Sequence, residues 1–464
     1  GLTAISFVSL AIGCSSGAGS GRADGASAPK DQSDAKGDSD ATAVDGQASD
    51  GETSGDIVVQ GEGDVAATPD AGPIGPPPCT QNSDCSNPAT PACNVGTGEC
   101  AAPPLGGAIG WGDGSAESVG IELVFQPKRA YEGTDLDFHP IRNELWVALR
   151  EFPTSADCGE MTATQAGCEE LEGSVAVVTD FDGPKPTSVV KKDINAWHFM
   201  RRPTAIAFGA ADTFATCGEA RTGNYEDDPA DFIGPSLWSA DPAIFGVDLG
   251  PSLNGSHLDM LHQTPFCMGI THETENAYWT LNGNVGALDR YDFAEDHGPG
   301  HEDHSDGTVR RYVAGELLRV EGTPSHLVWE ADTGTVLVAD TGNRRIVRVD
   351  PSSAKPGAKI APYEPMGESR HYDGATIEVV VPSGTVVAPS GLALVDGVIY
   401  VSDAATSRFY AFDAQGALLR SLDTGLPAGT LAGIAIHPAS GRLYFVDKPT
   451  GRVFRIDPNA TTEG

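Results

Sequence analysis

Basic residues are scarce in this sequence. It contains 29 Lys and Arg against 65 Asp and Glu, which gives a formal net charge of −36. A field of that sign repels nucleic acid and anionic lipid headgroups, so both are poor candidate partners. Long apolar runs are scarce as well, because the run 2–10 is too short to span a bilayer and no other stretch approaches that length. With 57 Gly and 33 Pro, the sequence favours turns and unstructured segments over long helices.

The apolar residues 2–10 suit the hydrophobic region of a signal peptide. They lead into the segment 10–14, Leu-Ala-Ile-Gly-Cys, which resembles a bacterial lipobox. The resemblance implies that residues 1–14 are a signal-peptide remnant and that Cys14 is lipidated, and Ser15 resembles the signal for outer-membrane sorting. An ordinary signal peptide with a chance cysteine is the alternative. We expect an extracytoplasmic protein, anchored by lipid at the bacterial outer membrane or cell surface.

The segment after the lipobox lacks aromatic residues altogether. Residues 15–78 consist mostly of Gly, Ser, Ala, Asp and Pro. Such a composition cannot bury enough apolar surface to offset the entropy of the chain, so we expect a disordered acidic linker. Repulsion between its charges keeps the linker extended, which suits a spacer between a membrane and a folded domain.

The nine cysteines fit an oxidising compartment. Without Cys14, eight remain, and an even number of this kind indicates up to four disulfides. Half of them fall within residues 79–100, a module too small to have much of a core without disulfides. Metal binding by paired cysteines is the alternative there, although the module has no C-x-x-C spacing. Further along, we expect Cys158 to pair with Cys168 and Cys217 with Cys267. The eight disulfide candidates are Cys79, Cys85, Cys93, Cys100, Cys158, Cys168, Cys217 and Cys267.

From about residue 106 to residue 464 the sequence repeats. Its clearest unit begins at 389–403 with PSGLALVDGVIYVSD and continues through two more short strands, so that four strands are separated by turns. The opening of the first strand recurs at 134–138, 204–208, 268–271, 325–329 and 432–436. Six openings predict an all-β, six-bladed β-propeller. The segment 119–125 is expected to supply the outer strand that the last blade lacks, which closes the ring and removes open sheet edges.

The segments 389–394 (PSGLAL), 401–403 (VSD) and 338–346 (VADTGNRRI) resemble NHL repeats. The resemblance implies an NHL-type six-bladed β-propeller. The sequence is also distantly similar to that of peptidyl-hydroxyglycine amidating lyase. That enzyme is a propeller of this type, and its zinc is held by histidines at the openings of inner strands. His326 lies near such a position, and Arg150 ends a second strand where that family keeps a catalytic arginine. The openings here are Pro-Thr or Pro-Ser rather than Pro-His, so the zinc triad is not reproduced and that reaction is not expected.

Propellers of this kind usually bind ligands on one face. That face carries the turns between second and third strands and the connections between blades. Arg201 and Arg202 beside His198 suit a carboxylate ligand, and salt bridges to neighbouring loops are the alternative. The candidate ligand-binding residues on this face are Arg150, His198, Arg201, Arg202, Glu219, Asn282 and His326.

Histidines concentrate in blades two to four, most densely in the run 296–307. Imidazoles and carboxylates this close together suit Zn, Cu, Ni or Fe, and the extra carboxylates admit Ca. A solvated polar loop built around a Gly-Pro-Gly turn is the alternative. Because this loop joins a third and a fourth strand, we expect it on the face opposite the ligand face. The candidate metal ligands are His262, His326, His297, His301, Asp303 and His304.

No Ser-His-Asp order, phosphate loop or nucleotide fingerprint stands out. The leading hypothesis is a tethered propeller that binds a protein, a glycan or a small molecule, together with a divalent metal. The alternative is a metal-dependent lyase, hydrolase or oxidoreductase with its site at the mouth of the propeller channel. A purely structural envelope protein fits the linker but leaves the clustering of histidines unexplained.

Overall fold

The structure of the protein is a computed structural model. It describes residues 78–79, 84–87, 90, 92–94, 98–151, 172–210, 212–224, 231–301 and 303–459. Every described residue lies within 74–464. Cys14, the linker before residue 78, Cys158 and Cys168 lie outside the described residues. No helix within the described ranges is long and apolar enough to cross a membrane.

The cysteine-rich segment forms a small hairpin. Strands β1 (Ala92–Asn94) and β2 (Glu99–Ala101) pair in antiparallel fashion. Disulfides join Cys79 to Cys93 and Cys85 to Cys100. Two crosslinks in so short a segment replace the hydrophobic core that it is too small to form.

Six sheets form the blades of a propeller, which confirms the fold predicted from the repeats. In each blade the strands are numbered from the channel outward, and one outer strand, β3, comes from the start of the domain. Blade 1 contains β4 (Glu132–Phe138), β5 (Glu144–Arg150), β6 (Gly173–Thr179) and β7 (Thr187–Lys191). Blade 2 contains β8 (Pro203–Phe208), β9 (Thr213–Gly218), β10 (Ser236–Ser239) and β11 (His257–Met260). Blade 3 contains β12 (Cys267–Thr274), β13 (Ala277–Asn282), β14 (Ala287–Asp292) and β15 (Thr308–Tyr312). Blade 4 contains β16 (Leu327–Glu330), β17 (Thr335–Asp340), β18 (Arg345–Asp350) and β21 (Thr376–Val381). Blade 5 contains β22 (Pro389–Val395), β23 (Val398–Asp403), β24 (Arg408–Phe412) and β25 (Leu418–Asp423). Blade 6 contains β26 (Leu431–Ile436), β27 (Leu443–Asp447), β28 (Arg452–Asp457) and β3 (Gly120–Phe125).

Among the described residues, helical structure is confined to single turns. The helix α1 spans Ala196–Phe199 before blade 2, and 3-10 turns occupy Gly107–Ile109 and Ala116–Ser118. The frequent turns and short strands of the sequence leave little room for anything longer.

The hydrophobic core is divided among the interfaces between blades. Six clusters of buried side chains occur, one at each junction of neighbouring blades. The second strand of a blade therefore contacts apolar neighbours on both faces, and β17, with the sequence TVLVAD, is buried along its whole length. This explains why second strands have nearly continuous apolar runs instead of alternating polar and apolar residues.

Blade 6 is built from both ends of the propeller sequence. β28 pairs in antiparallel fashion with β3, with Ile456 opposite Ile121 and Val453 opposite Phe125. The expected closure by the segment 119–125 is therefore confirmed. It joins the last three strands of the repeat to the first strand of the domain.

An insertion in blade 4 departs from the repeat. Between β18 and β21 the chain forms an arm (residues 351–375) that contains β19 (Lys355–Lys359) and β20 (Glu368–Asp373). β20 pairs in parallel with β15 of blade 3, so that blade 3 becomes a six-stranded sheet. The arm was not expected, because its two strands have little of the apolar pattern that marks the blades.

The closing strand offers a matched pair of substitutions. Phe125 is 4% exposed in the core between blades 6 and 1, whereas Leu123 in the same strand is 52% exposed. We expect Phe125→Ala to lower the free energy of unfolding by about 3–5 kcal/mol, since it leaves a cavity at the closure. Leu123→Ala is expected to change it by roughly 0.5 kcal/mol or less. Chemical denaturation measures both, and equal effects would show that closure does not depend on this packing.

Candidate functional site

A layer of side chains blocks the propeller channel. The layer takes one residue from the same position of each inner strand, and four of the six are small. They are Asp135, Ala205, Gly269, His326, Gly391 and Gly433. A Cβ atom at Gly433 would lie 2.5 Å from Oδ1 of Asp135 and 3.0 Å from Cε1 of His326. Gly433 therefore makes room for the two large polar residues, which come from the opposite blades 1 and 4.

Asp135 and His326 form a buried pair across the channel axis. Nδ1 of His326 lies 3.4 Å from Oδ1 of Asp135, and Nε2 of His326 lies 3.2 Å from the carbonyl oxygen of Thr204. Burial raises the pKa of Asp135 to about 8 and lowers the pKa of His326 to about 4. Both groups are therefore neutral near pH 7. A carbonyl can only accept, so Nε2 carries the imidazole proton and Nδ1 faces the carboxylic acid with its lone pair.

The neutral carboxyl of Asp135 also stabilises the ring of blades. Its Oδ2 accepts a hydrogen bond from the backbone N–H of Ile206 in blade 2 at 3.0 Å. Asp137, two residues later, accepts the N–H of Phe208 in the same way at 2.9 Å, and burial raises its pKa to about 7. These carboxyls satisfy inner-strand N–H groups of the next blade. His326, a candidate metal ligand, thus contacts Asp135 and Thr204 and is not grouped with another histidine.

Beyond this layer, on the side opposite the face predicted to bind ligands, the channel contains a cavity of about 410 Å³ whose lining includes Asp137 and Thr271 as well as apolar side chains. It is lined by Ile206, Ile270, Val328, Leu394 and Ile436. The blocked layer separates this cavity from the mouth.

Charged side chains of both signs surround the mouth. Glu219, which is 1% exposed, accepts hydrogen bonds from Arg319 at 3.0 Å and from Arg150 at 3.3 Å. Arg202 lies 3.7 Å from the same carboxylate. Lys448 lies 3.1 Å from Glu132, which is itself 3.6 Å from Arg150. These ion pairs gather four cations around Glu132 and Glu219, and Glu321 adds a further negative charge near Arg202.

Arg202 is the mouth cation with the weakest compensation. Burial and the neighbouring Arg150 both lower its pKa, which shows that its charged form is disfavoured there. Its backbone has φ 46°, in the left-handed region. Arg201, in contrast, is buried and donates to the carbonyl of Thr222 at 2.9 Å.

Two other candidate ligand-binding residues lie away from the mouth. His198 shares a hydrogen bond of 2.9 Å with the carbonyl of Gly223, and its ring centroid lies 5.6 Å from that of His262. Asn282 is fully buried and donates to Asp289 at 2.8 Å and to the carbonyl of Gln263 at 3.1 Å. The seven candidates therefore divide among the mouth, the channel and the outer rim of blades 2 and 3.

The loop that contains most of the candidate histidines runs along the outer edge of blade 2. In this His-rich loop (residues 293–307), the N–H of Gly300 donates to the carbonyl of His257, at the start of β11, at 2.7 Å. Further along, Gly307 lies against the side chain of Leu261, just beyond the end of β11. The loop joins the third and fourth strands of blade 3, as expected, but its path brings His304 beside His262 instead of onto the opposite face.

A first group of metal-ligand side chains forms where this loop meets the arm. His262, His304 and Glu364 each offer a ligand atom, and the three atoms lie within 4.8 Å of one another. Nδ1 of His262 lies 3.0 Å from Oε1 of Glu364, and the two imidazole centroids are 5.6 Å apart. The ring of Phe232 stacks on His262 with centroids 3.5 Å apart, which fixes the orientation of that imidazole. The group thus unites the blade 2–3 connection, the His-rich loop and the arm.

A second group lies next to the first. Asp259, His297 and Asp306 also place one ligand atom each within 4.8 Å of one another. Nε2 of His297 lies 3.4 Å from Oδ1 of Asp306, and Oδ1 of Asp259 lies 3.8 Å from Nε2 of His304. His301 and Asp303, which were also candidate ligands, are exposed and belong to neither group.

A buried polar network supports the segment that carries His262. Asp289, fully buried, accepts hydrogen bonds from Arg311 at 2.7 and 2.8 Å and from Thr264 at 2.7 Å. Arg311 also donates to the carbonyl of Gln263 at 2.8 Å. A disulfide from Cys217 to Cys267 joins blades 2 and 3 nearby in the sequence, and this is the pairing suggested by the repeats. The connection between blades 2 and 3 that carries His262 is therefore held by this network and by the disulfide.

Asp259, Asp306 and Glu364 were not among the residues singled out from the sequence. Asp306 lies within the run 296–307 and Asp259 lies three residues before His262, so proximity to the histidines was an available signal. Glu364 had no such signal, because it is distant in sequence and reaches the group through the pairing of the arm with blade 3.

Comparisons with known proteins identify no relative by sequence: no family model and no curated protein matches. Solved structures align at low identity. An auxiliary nutrient binding protein from Bacteroides ovatus is 12% identical, covers 73% of this chain and 76% of its own, and has a TM-score of 0.44. The calcium-binding protein regucalcin from Agrobacterium tumefaciens is 14% identical, with 73% and 93% covered and a TM-score of 0.43. Streptogramin B lyase is 10% identical, with 73% and 97% covered and a TM-score of 0.39. Likenesses this distant do not indicate what this chain binds, so its function is argued from its own residues.

The channel pair gives a prediction about pH. Because the folded pKa of Asp135 exceeds its ordinary value of 3.8, the folded state binds more protons between pH 4 and 8, and stability falls as pH rises through that range. His326 acts in the opposite direction, but only between its folded pKa of about 4 and its ordinary value of 6.5. We expect Asp135→Asn, which keeps an acceptor for Ile206 and a donor for His326 but cannot ionise, to remove a fall of about 1 kcal/mol between pH 7 and 8.

Denaturation across pH 6–9 measures this effect. Asp332→Asn, at an exposed position, is the control and should keep the wild-type pH profile. If Asp135→Asn lost as much stability between pH 7 and 8 as the wild type does, the carboxyl of Asp135 in the wild type would already be ionised at pH 7.

Proposed function

We propose that this protein is an extracytoplasmic binding propeller that holds a divalent transition-metal ion at the rim between blades 2 and 3, through His262, His304 and Glu364. The observation that carries the proposal is their convergence. Three ligand atoms from three distant segments of the chain lie within 4.8 Å of one another.

The donor set suits a transition metal. Two imidazole nitrogens and one carboxylate oxygen are the ligands preferred by zinc and by non-haem iron, while calcium prefers oxygen alone. The surroundings are also appropriate, since His262 is 3% exposed and Glu364 12% exposed. A partly buried site of this kind limits competition by water and strengthens the attraction between the ion and the carboxylate.

The geometry does not require large rearrangement to accept an ion. Phe232 holds the ring of His262, and the N–H of His262 donates to Oε1 of Glu364 at 3.1 Å, which positions the carboxylate. Contacts of this kind around ligands orient them before the ion arrives. Three protein ligands leave coordination positions for water or for a small molecule, which is the arrangement that a metal-dependent enzyme requires.

Disulfides support the extracytoplasmic part of the proposal. Cys79–Cys93, Cys85–Cys100 and Cys217–Cys267 are bonded, and stable disulfides are typical of oxidising compartments. Lipidation of Cys14, with the acidic linker as a spacer, is the mode of attachment that we propose. Its support is the lipobox-like sequence.

A second candidate function is the binding of a small carboxylate at the mouth. Its support is the group of four cations around Glu132 and Glu219, in which Arg202 lies 3.7 Å from the carboxylate of Glu219. A carboxylate ligand would relieve the repulsion between Arg202 and Arg150 and would gain charge-assisted hydrogen bonds. Arg202, Arg319 and Lys448 are each about one-fifth exposed and so are accessible to it.

The metal proposal is tested with the full chain, purified without a histidine tag and stripped with a chelator. We expect a Zn²⁺ ion to bind to the wild type, and His304→Ala to weaken its affinity by at least about tenfold, since one of three ligands is lost. His301→Ala, in the same loop but outside the group, is the matched control and should leave the affinity unchanged. Isothermal titration calorimetry measures the affinities. Equal affinities in wild type and His304→Ala would contradict the proposal.

The carboxylate proposal is tested by titration with succinate at low and high salt. Arg202→Gln is expected to weaken binding by about tenfold through the loss of a charged hydrogen bond. Binding to the wild type should also weaken as salt is added, because the mouth cations are partly exposed. Arg408→Gln, in blade 5, removes an equal charge elsewhere and should have no effect. If Arg408→Gln weakened succinate binding as much as Arg202→Gln does, the effect would reflect the net charge of the protein and not a site at the mouth.

A further inference from the structure

Beside the proposed metal site lies the second group of ligands, Asp259, His297 and Asp306. We propose that these three residues hold a second divalent cation, so that the rim of blades 2 and 3 is a two-ion centre. The inference rests on the proposed function, since the second ion is placed relative to the first.

Asp259 connects the two groups. Its Oδ1 lies 3.8 Å from Nε2 of His304, a ligand of the first group, and the Asp259 side chain is fully buried. A carboxylate in such a place is costly unless positive charge compensates it. One oxygen of each aspartate and one nitrogen of His297 lie within 4.8 Å of one another, so a cation held by the second group would lie directly against this buried carboxylate.

The His-rich loop is arranged to complete the second group. Asp306 accepts the N–H of Glu295 on Oδ2 at 3.2 Å, and its Oδ1 is 3.4 Å from Nε2 of His297. The two ends of the loop are thereby linked across its base. The side chains of His297 and Asp306 both lie close to Asp259 on β11. This cross-link sets the positions of His297 and Asp306 independently of the arm that supplies Glu364.

The two groups differ in chemistry and in access. The second has two carboxylates and one imidazole, which favours a harder ion such as Mn²⁺ over the ion that two imidazoles select. Two of its three side chains are also more open, with His297 20% and Asp306 33% exposed, against 3% for His262. The second ion therefore exchanges with solvent more readily than the first.

Each group can be removed without removing the other. Asp306→Asn keeps an acceptor for the N–H of Glu295 but lowers the ligand charge of the second group alone. Glu364→Gln likewise keeps an acceptor for the N–H of His262 but lowers the ligand charge of the first group alone. Asp303→Asn, in the same loop and in neither group, is the matched control.

The experiment loads the stripped full chain with one equivalent of Zn²⁺ and then titrates Mn²⁺, following free Mn²⁺ by electron paramagnetic resonance. We expect one Mn²⁺ to bind to the wild type and to Asp303→Asn, and its affinity to fall at least tenfold in Asp306→Asn. Zinc affinity should be unchanged in Asp306→Asn and reduced in Glu364→Gln. Circular dichroism and melting temperature establish that each variant is folded.

The outcomes separate the two proposals. Zinc binding that is lost in Glu364→Gln, with no Mn²⁺ bound to the wild type, would leave the first site intact and overturn the two-ion centre. Mn²⁺ binding that is unaffected by Asp306→Asn would place that ion elsewhere and overturn it as well. If neither ion binds to the wild type, both proposals fail.

Discussion

The pairing of β28 with β3 is the interaction on which the rest of the propeller depends. Each blade packs only against its two neighbours, and the core is divided among six interfaces. Without the closing strand, blade 6 would end in an open edge and the interface of blades 6 and 1 would lose one of its layers. The position of every side chain at the mouth and at the rim follows from a ring that is closed in this way.

The closed ring also determines where ligands have access. Inside it, the layer containing Asp135 and His326 blocks the channel. Gly433 is required there by the close approach of these two side chains, and Gly269 and Gly391 by the backbone of the next blade. The layer therefore separates the mouth from the cavity on its other side, and the two proposed sites lie at the mouth and at the rim of blades 2 and 3. Both proposed sites consist of connections and insertions attached to a rigid frame, which is where functional residues of repeat folds are usually found.

The sequence pattern predicts the fold well because each blade repeats one short set of strands, openings and turns. Strand closure by residues 119–125 followed from counting three strands in the last blade. The arm was missed for a physical reason. Its strands β19 (KPGAK) and β20 (ESRHYD) are polar, and β20 pairs with blade 3 although the arm is inserted in blade 4. Their pairing is a long-range contact that no local period encodes.

The candidate site was predicted only in part. His262 and His304 were identified as candidate ligands, but the path of the His-rich loop along β11, and hence their meeting, depends on tertiary contacts such as that of Gly300 with His257. His326 is also a histidine and stands at the opening of an inner strand. Its ring nitrogens, however, face Asp135 and the carbonyl oxygen of Thr204. Residue type alone does not separate a ligand from a buried structural histidine, whereas the identity of its neighbours does.

The arm leaves β19 as the outermost strand of the widest sheet in the molecule. An exposed strand edge is a template on which another chain can add by backbone pairing. Here that edge carries Lys355, Pro356 and Lys359, and all three are exposed. A proline cannot donate to an incoming strand, and the lysines repel a second copy of themselves. The composition of β19 thus opposes self-association, so that molecules crowded on one surface can remain separate from one another.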